Sequence, residues 1–276
     1  MPARRVLGKV GIYVAALALV AFALLPFYWM VLTSVKTDAD IITETPVFWP
    51  DEINLERYGL AFERGFGDAL VNSLLVATTT VLAGLVLAAF AAYVLARFEM
   101  PLRRYLLLLV MTVQMVPLIV LIIPLYGIFV DLHLLNTFYG LVIVYLAFAL
   151  PLAIYMLRGF FASIPRELED AAMVDGCTRM QAIWKVVLPL VAPGLAATSI
   201  LLFITAWNEF IIALNFTTDT DAQTLPVALT RFTGRGLVDW GGVMAFSTMM
   251  VIPVVIFFLL VHRRLTTGLV LGATKG

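Results

Sequence analysis

The sequence predicts an all-α protein that crosses a membrane six times. Of its 276 residues, 62% are hydrophobic and only 13% are charged, which is far more apolar than a water-soluble domain requires. Six stretches contain the roughly 20 apolar residues that a helix needs to cross a bilayer core. They are residues 10–32, 70–96, 105–130, 135–157, 190–214 and 241–261. We expect residues 1–276 to form a single transmembrane domain.

The charge distribution predicts that both termini face the cytoplasm of a cell whose plasma or inner membrane holds the chain. Arg and Lys are concentrated before the first span and after the second, fourth and sixth spans, whereas the other loops are rich in Asp and Glu. Basic loops stay on the cytoplasmic side. The first apolar stretch is too long for a signal peptide and lacks a small-residue cleavage site, so it is interpreted as a retained span.

A polar segment, residues 163–189, lies between the fourth and fifth spans and is predicted to contain two short cytoplasmic helices. Pro165 suits the first turn of a helix. Three acidic residues that follow it lie near the positive end of the helix dipole. They are Glu167, Glu169 and Asp170. One face of this helix is expected to be small or apolar: Leu168, Ala171 and Ala172.

The second helix of this segment begins after a predicted turn at Asp175–Gly176, where Gly176 can adopt a left-handed conformation. Thr178 and Gln181 have the spacing of a capping box, and Pro189 is expected to end the helix. The expected apolar face consists of Met180, Ile183, Trp184, Val187 and Leu188. The helix pair suits either docking to a cytoplasmic partner or lying on the bilayer surface.

Two polar side chains within the predicted spans need partners. Gln114 in the third span must face protein or water. A position lining a transport pathway and a position packed against protein are equally compatible with the sequence. Glu209 is a carboxylate in the fifth span, where an isolated charge costs about 3 kcal/mol. It is therefore expected to face the protein interior or a cavity. Prolines at 117, 124 and 151 indicate bent spans.

Several functional classes are excluded or disfavoured. The net charge is zero, which argues against a nucleic acid partner. The single cysteine, Cys177, cannot form an internal disulfide, and no C-x-x-C or H-E-x-x-H pattern predicts a metal site. No G-x-x-x-x-G-K-[ST] loop is present, so ATP would have to bind elsewhere. We found no matched catalytic set and expect no enzymatic activity.

The run Asp170-Ala171-Ala172, then Gly176, Ile183 and Leu188-Pro189, resembles the E-A-A-x-x-x-G loop of ABC importer permeases. That loop is a coupling helix that sits in a cleft of an ATP-binding subunit. Two positions depart from the pattern: Asp170 replaces Glu and Cys177 replaces Ala. The resemblance implies that the coupling loop includes Glu167, Glu169, Asp170, Ala171, Ala172, Asp175, Gly176, Ile183 and Pro189.

Other stretches resemble the carbohydrate-uptake, maltose/trehalose-type branch of these permeases. The run 91–98 is similar to A-Y-x-L-A-R-F, and Trp207-Asn208-Glu209-Phe210 is similar to W-N-E-F. Trp207, Asn208 and Glu209 could contact sugar, bond a second permease or brace an outer gate, with a structural or gate role slightly favoured. The ending resembles a tail that contacts the ATPase dimer, which implies that role for Gly272, Ala273, Lys275 and Gly276.

The resemblance implies a type I ABC importer permease fold and a set of partners. These are a second homologous permease, a dimer of ATP-binding subunits that holds ATP and Mg, an extracytoplasmic sugar-binding protein, and membrane lipid. The first outer loop, residues 35–69, is equally compatible with docking of the binding protein and with packing. The alternative function is a secondary transporter driven by an ion gradient, with Glu209 as its proton or cation site.

Overall fold

The long apolar stretches of the chain form helices throughout. The structure, a computed structural model, describes residues 2–101, 103–234 and 238–272, and these residues contain helices and turns but no strand. The first seven helices are α1 (Pro2–Ser34), α2 (Asp38–Ile41), α3 (Glu56–Glu63), α4 (Phe66–Arg97), α5 (Arg103–Val113), α6 (Leu118–Asp131) and α7 (Phe138–Ser163). The others are α8 (Glu167–Val174), α9 (Arg179–Ala182), α10 (Leu188–Trp207), α11 (Ile211–Phe216), α12 (Leu225–Ala228) and α13 (Trp240–Gly272).

Among the described residues, five helical stretches are long and apolar enough to cross a membrane, and α6 is a shorter apolar helix. The five are Lys9–Ser34, Phe66–Arg97, Phe138–Ser163, Arg179–Trp207 and Trp240–Arg264. The all-α fold is therefore confirmed. Each of the five overlaps one predicted span, and α6 overlaps the remaining one.

The third predicted span, residues 105–130, is not one continuous helix. α5 ends at Val113 and α6 begins at Leu118, with Pro117 as the residue that precedes its first turn. Pro117 has no N–H to donate, and its ring forces the residue before it out of the helical conformation. The helix therefore stops and restarts.

The fifth span is also interrupted. α10 ends at Trp207, residues 208–210 are not helical, and α11 resumes at Ile211. The predicted helix end at Pro189 is wrong, because the helical path runs on from α9 through a π-helical turn, Ile183–Val187, into α10. The Leu188 N–H bonds the Ile183 carbonyl in that turn, so Pro189 follows a change in the hydrogen-bond register of a continuing helix.

Two compact units make up the chain. The first comprises Met1–Phe66 and Leu229–Ile252. In it, the buried Arg57 donates hydrogen bonds to the Lys36 carbonyl and to Asp38. Phe48 and Trp49 of the first outer loop are exposed, so packing and docking both stay open for that loop.

The second unit comprises Gly67–Ala228 and Pro253–Gly276, and its core is built on the small residues of α4. A Cβ at Gly84 would lie 3.0 Å from Leu202 of α10 and 3.3 Å from Leu146 of α7. Ala77, Thr80, Ala88 and Ala92 of the same helix are fully buried. Small side chains let membrane helices approach closely, so α4 can pack tightly against α7 and α10.

Candidate coupling loop and intramembrane polar sites

The segment between α7 and α10 folds into the predicted helix pair. Gly176 has φ +91° and ends α8 in the left-handed region, where only glycine is unstrained. Thr178 and Gln181 form the capping box, since the Gln181 N–H bonds the Thr178 hydroxyl and the Thr178 N–H bonds the Gln181 side chain. The turn and the start of the second helix are therefore confirmed. Pro165 lies just outside α8, whose preceding residue is Arg166.

The small or apolar face predicted for α8 is only partly buried within this chain. Glu169 and Ala172 are its buried residues, whereas Leu168 and Ala171 are exposed. Glu169 is buried because a cation on another helix lies against this side of α8. The sequence pattern of apolar residues cannot reveal such a partner.

The buried cation is Arg97, the last residue of α4. Its Nε lies 3.2 Å from Glu169 Oε2, and both side chains are more than nine-tenths buried. The Arg97 Nη1 group also donates a hydrogen bond of 2.9 Å to the carbonyl of Ile164, before α8. One α4 side chain thus holds both the entry to α8 and its first turn.

A second contact holds α9 to the same end of α4. The guanidinium of Arg179 lies 5.4 Å from the ring centroid of Phe98, within range of a cation–π interaction. Together with the Arg97–Glu169 pair, this contact ties both short helices to the residues that follow the α4 span.

The other side chains predicted for the coupling loop divide by exposure. Those facing solvent are Glu167, Asp170, Ala171, Asp175, Gly176 and Pro189. Ile183 is half-buried in the π-helical turn. Three large apolar residues of the helix pair are also exposed: Leu168, Val174 and Met180. Met180 and Trp184, two residues of the predicted apolar face, are mostly exposed within this chain.

Gln114 lies in the break between α5 and α6. Its side-chain N–H donates a 2.7 Å hydrogen bond to the carbonyl of Phe148 in α7. The amide therefore has the protein partner that its depth requires, and its side chain is also exposed. A place on the transport pathway stays a prediction.

Glu209 lies in the break between α10 and α11 and caps α11. Its Oε1 accepts the N–H of Ile212 at 2.8 Å, and its Oε2 accepts the N–H of Ala213 at 2.9 Å. Oε2 also accepts the hydroxyl of Tyr145 from α7 at 2.9 Å. Three donors thus offset the cost of placing the carboxylate here, and they connect α7 to the restarted helix.

The neighbours of Glu209 differ in environment. Trp207 is 1% exposed and stacks on Phe203, with ring centroids 5.3 Å apart. Asn208 is exposed. Pathway or gate roles for both stay predictions. Of the predicted tail contacts, Gly272 ends α13, and Ala273, Lys275 and Gly276 lie outside the described residues.

Replacing Glu209 with Ala should lower the stability of the folded protein, because α11 loses its capping carboxylate. Loss of a helix-capping carboxylate costs about 0.5–2 kcal/mol. We expect a lower thermal unfolding temperature for the purified protein. Tyr145→Phe should have a smaller effect, and the two substitutions together should cost less than the sum of the single ones because they share one hydrogen bond. Strict additivity would contradict the coupling.

Sequence reasoning missed Arg97 and Tyr145 as partners of the two carboxylates. A signal for Arg97 was available, because it directly follows the apolar stretch of the second span. Tyr145 is one aromatic residue among many in an apolar helix and has no distinguishing pattern. Both partners lie far along the chain from the carboxylates that they bind.

Apolar spanning helices and an exposed short helix pair fixed to the end of one span define a membrane permease of the ABC importer type. A profile of binding-protein-dependent transport system inner membrane components matches residues 81–270. The chain belongs to this family. The resemblance noted in the sequence is therefore confirmed, and family membership does not fit an ion-driven transporter. The family implies, in general, a second permease, ATPase subunits and a binding protein.

Relatives and a solved structure agree with this assignment. The diacetylchitobiose uptake system permease protein DasC of Streptomyces coelicolor is 41% identical over 274 residues, 99% of both chains. The trehalose transport system permease protein SugB of Mycobacterium tuberculosis is 40% identical and covers 93% of this chain and 94% of its own. These relatives are named as transport subunits, which is a non-enzymatic role.

The fold matches a bacterial ABC transporter that imports the acidic polysaccharide alginate. The TM-score is 0.76 with 24% identity, over 95% of this chain and 98% of the matched chain. This match confirms the ABC importer permease fold.

Proposed function

We propose that this chain is a permease subunit of an ATP-driven, binding-protein-dependent importer for a maltose/trehalose-type sugar or a related oligosaccharide. The relatives named for trehalose and diacetylchitobiose uptake support the sugar class. The observation that carries the coupling role is the exposed helix pair, which turns at Gly176 and is fixed to α4 by the buried Arg97–Glu169 pair.

The mechanism follows from that connection. Closure of two ATP-binding subunits moves α8 and α9. Because Arg97 and Phe98 tie both short helices to the end of α4, the span moves with them. The breaks at Pro117 and at residues 208–210 let the third and fifth spans bend. Sugar released by the outer binding protein then enters a cavity shared with a second permease, and hydrolysis resets the spans.

Both termini and the helix pair are proposed to be cytoplasmic. The basic residues flanking the spans support this orientation. Exposed apolar residues on a cytoplasmic segment favour burial against a protein, and Leu168, Val174 and Met180 are such residues. We propose that ATP and Mg bind only to the partner ATPase subunits and that the C-terminal tail reaches them.

A second permease is supported by the first helix. None of the most apolar stretch of the span Lys9–Ser34 in α1 is buried within this chain. A membrane helix gains stability by packing on another helix, so we propose that lipid and the second permease together cover α1.

Purification of the tagged chain tests the proposal directly. We expect an ATPase, a second permease and, with sugar present, a binding protein to co-purify. The reconstituted assembly should hydrolyse ATP faster when the loaded binding protein is added. Transport that survives ATP depletion but stops when the proton gradient is removed would refute it.

Asp170→Ala should weaken assembly with the ATPase. Asp170 is exposed in the first turn of α8, and a hydrogen bond to a charged group contributes about 1.5–3 kcal/mol. The affinity for the ATPase subunits should therefore fall at least tenfold, as measured by titration of the purified permease pair. Asp170→Glu, which restores the family residue, should bind normally. Equal affinities for the Ala variant and the wild type would exclude Asp170 from the interface.

A further inference from the structure

A cleft of about 490 Å³ between α5 and α7 contains two arginines at one end and apolar residues at the other. Arg103 is the first residue of α5, and Arg158 lies near the end of α7. Both are half-buried. Among the described residues neither forms an ion pair, and the Nε of Arg158 is buried without a hydrogen-bond partner.

The apolar part of the cleft lies one to two helical turns away from the arginines. Leu107 and Met111 follow Arg103 along α5, and Tyr155 precedes Arg158 by one turn of α7. At a rise of about 1.5 Å per residue, these side chains lie roughly 5–12 Å beyond the arginines. A phospholipid has a charged headgroup followed by apolar acyl chains, and this order matches the charged and apolar ends of the cleft.

We propose that this cleft binds one anionic glycerophospholipid of the cytoplasmic leaflet. Arg103 and Arg158 bind its phosphate, and Leu107, Leu108 and Met111 contact an acyl chain. Basic clefts between membrane helices on the cytoplasmic side favour anionic headgroups. A neutral sugar offers no negative charge to two cations, so a phosphate suits the cleft better. The inference rests on the proposed orientation of the chain.

The lipid would brace the broken third span. α5 lies against α7, and Gln114, the residue directly after α5, donates a hydrogen bond to Phe148 of α7. A phosphate bound by one arginine from each helix adds a link at the cytoplasmic end. The short α5 helix would then be held at both ends.

The test is native mass spectrometry of the intact transporter complex, titrated with phosphatidylglycerol or phosphatidylethanolamine. Wild type should hold one phosphatidylglycerol in preference to phosphatidylethanolamine. Loss of two cationic contacts in R103Q/R158Q should weaken that binding about thirtyfold. R103K/R158K should keep most of it, and K9Q, at an exposed lysine on α1, should bind as wild type does. Inorganic phosphate should not displace the lipid, because it has no acyl chain.

Equal phosphatidylglycerol binding by wild type and an intact R103Q/R158Q complex would overturn the inference. A photo-reactive amino acid at Tyr155 provides a second readout, with cross-links to lipid expected. Cross-links to another subunit would instead assign the cleft to a protein interface. Lipid counts do not depend on ATP or sugar, so a failure here would leave the proposed transport function intact. Labelling of R158C from outside the cell, in a C177S background, would contradict the cytoplasmic orientation on which both this inference and the proposed function rest.

Discussion

Replacing Arg97 with Met should produce the largest loss of stability expected for any single substitution in the coupling region. The change leaves Glu169, which is less than a tenth exposed, without its ion-pair partner. Breaking a buried pair from one side costs about 3–5 kcal/mol. It also removes the hydrogen bond to the Ile164 carbonyl. We expect α8 to detach from α4, with a lower thermal unfolding temperature of the complex and little ATP-dependent transport.

The double variant R97M/E169M separates the buried charge from the connection itself. With both charges gone, apolar side chains fill the space and much of the stability should return. Arg57→Met is a matched control, because Arg57 is also buried but lies in the other compact unit. The stability lost in Arg57→Met should not be restored by Glu169→Met. If R97M alone unfolds at the wild-type temperature, the Arg97–Glu169 pair does not hold the loop.

Replacing Gly176 with Val should uncouple ATP hydrolysis from transport. Gly176 has φ +91°, and a left-handed backbone costs an ordinary residue about 1–2 kcal/mol, with β-branched residues worst placed. No atom lies within 4 Å of an added Cβ, so the expected defect comes from the backbone and not from a clash. ATPase activity should persist while sugar uptake falls at least tenfold.

Gly176→Asn provides the matched control, because Asn tolerates left-handed backbone angles. It should retain most of the transport per ATP hydrolysed. Both activities are measured on the same proteoliposomes, so a general loss of protein affects them equally. Normal uptake by the Val variant would count against a coupling role for the turn.

Sequence reasoning was most accurate where the physical cause is local. The left-handed Gly176 and the Thr178–Gln181 capping box depend on residues within one or two turns of each other. The small-residue face of α4 was likewise visible as a run of Ala, Thr and Gly. Family membership followed from motifs, and the comparisons confirmed it.

The errors concern helix continuity. Hydropathy marks a stretch as able to cross a bilayer but does not show whether one helix does so. The third span breaks at Pro117, whereas Pro151 remains inside α7. The fifth span continues through Pro189 yet breaks at residues 208–210, which contain no proline. Neighbouring helices decide between these outcomes, because they supply or withhold partners for the freed backbone groups.

The sequence alone determined the approximate positions of the spans and of the helix pair, because composition, periodicity and capping act over short distances. Only the tertiary structure decided which partners Glu169 and Glu209 have. Glu169 pairs with Arg97, and Glu209 caps α11 and accepts a bond from Tyr145. A buried charge is tolerated only where donors converge on it, and those donors come from helices that folding alone brings together.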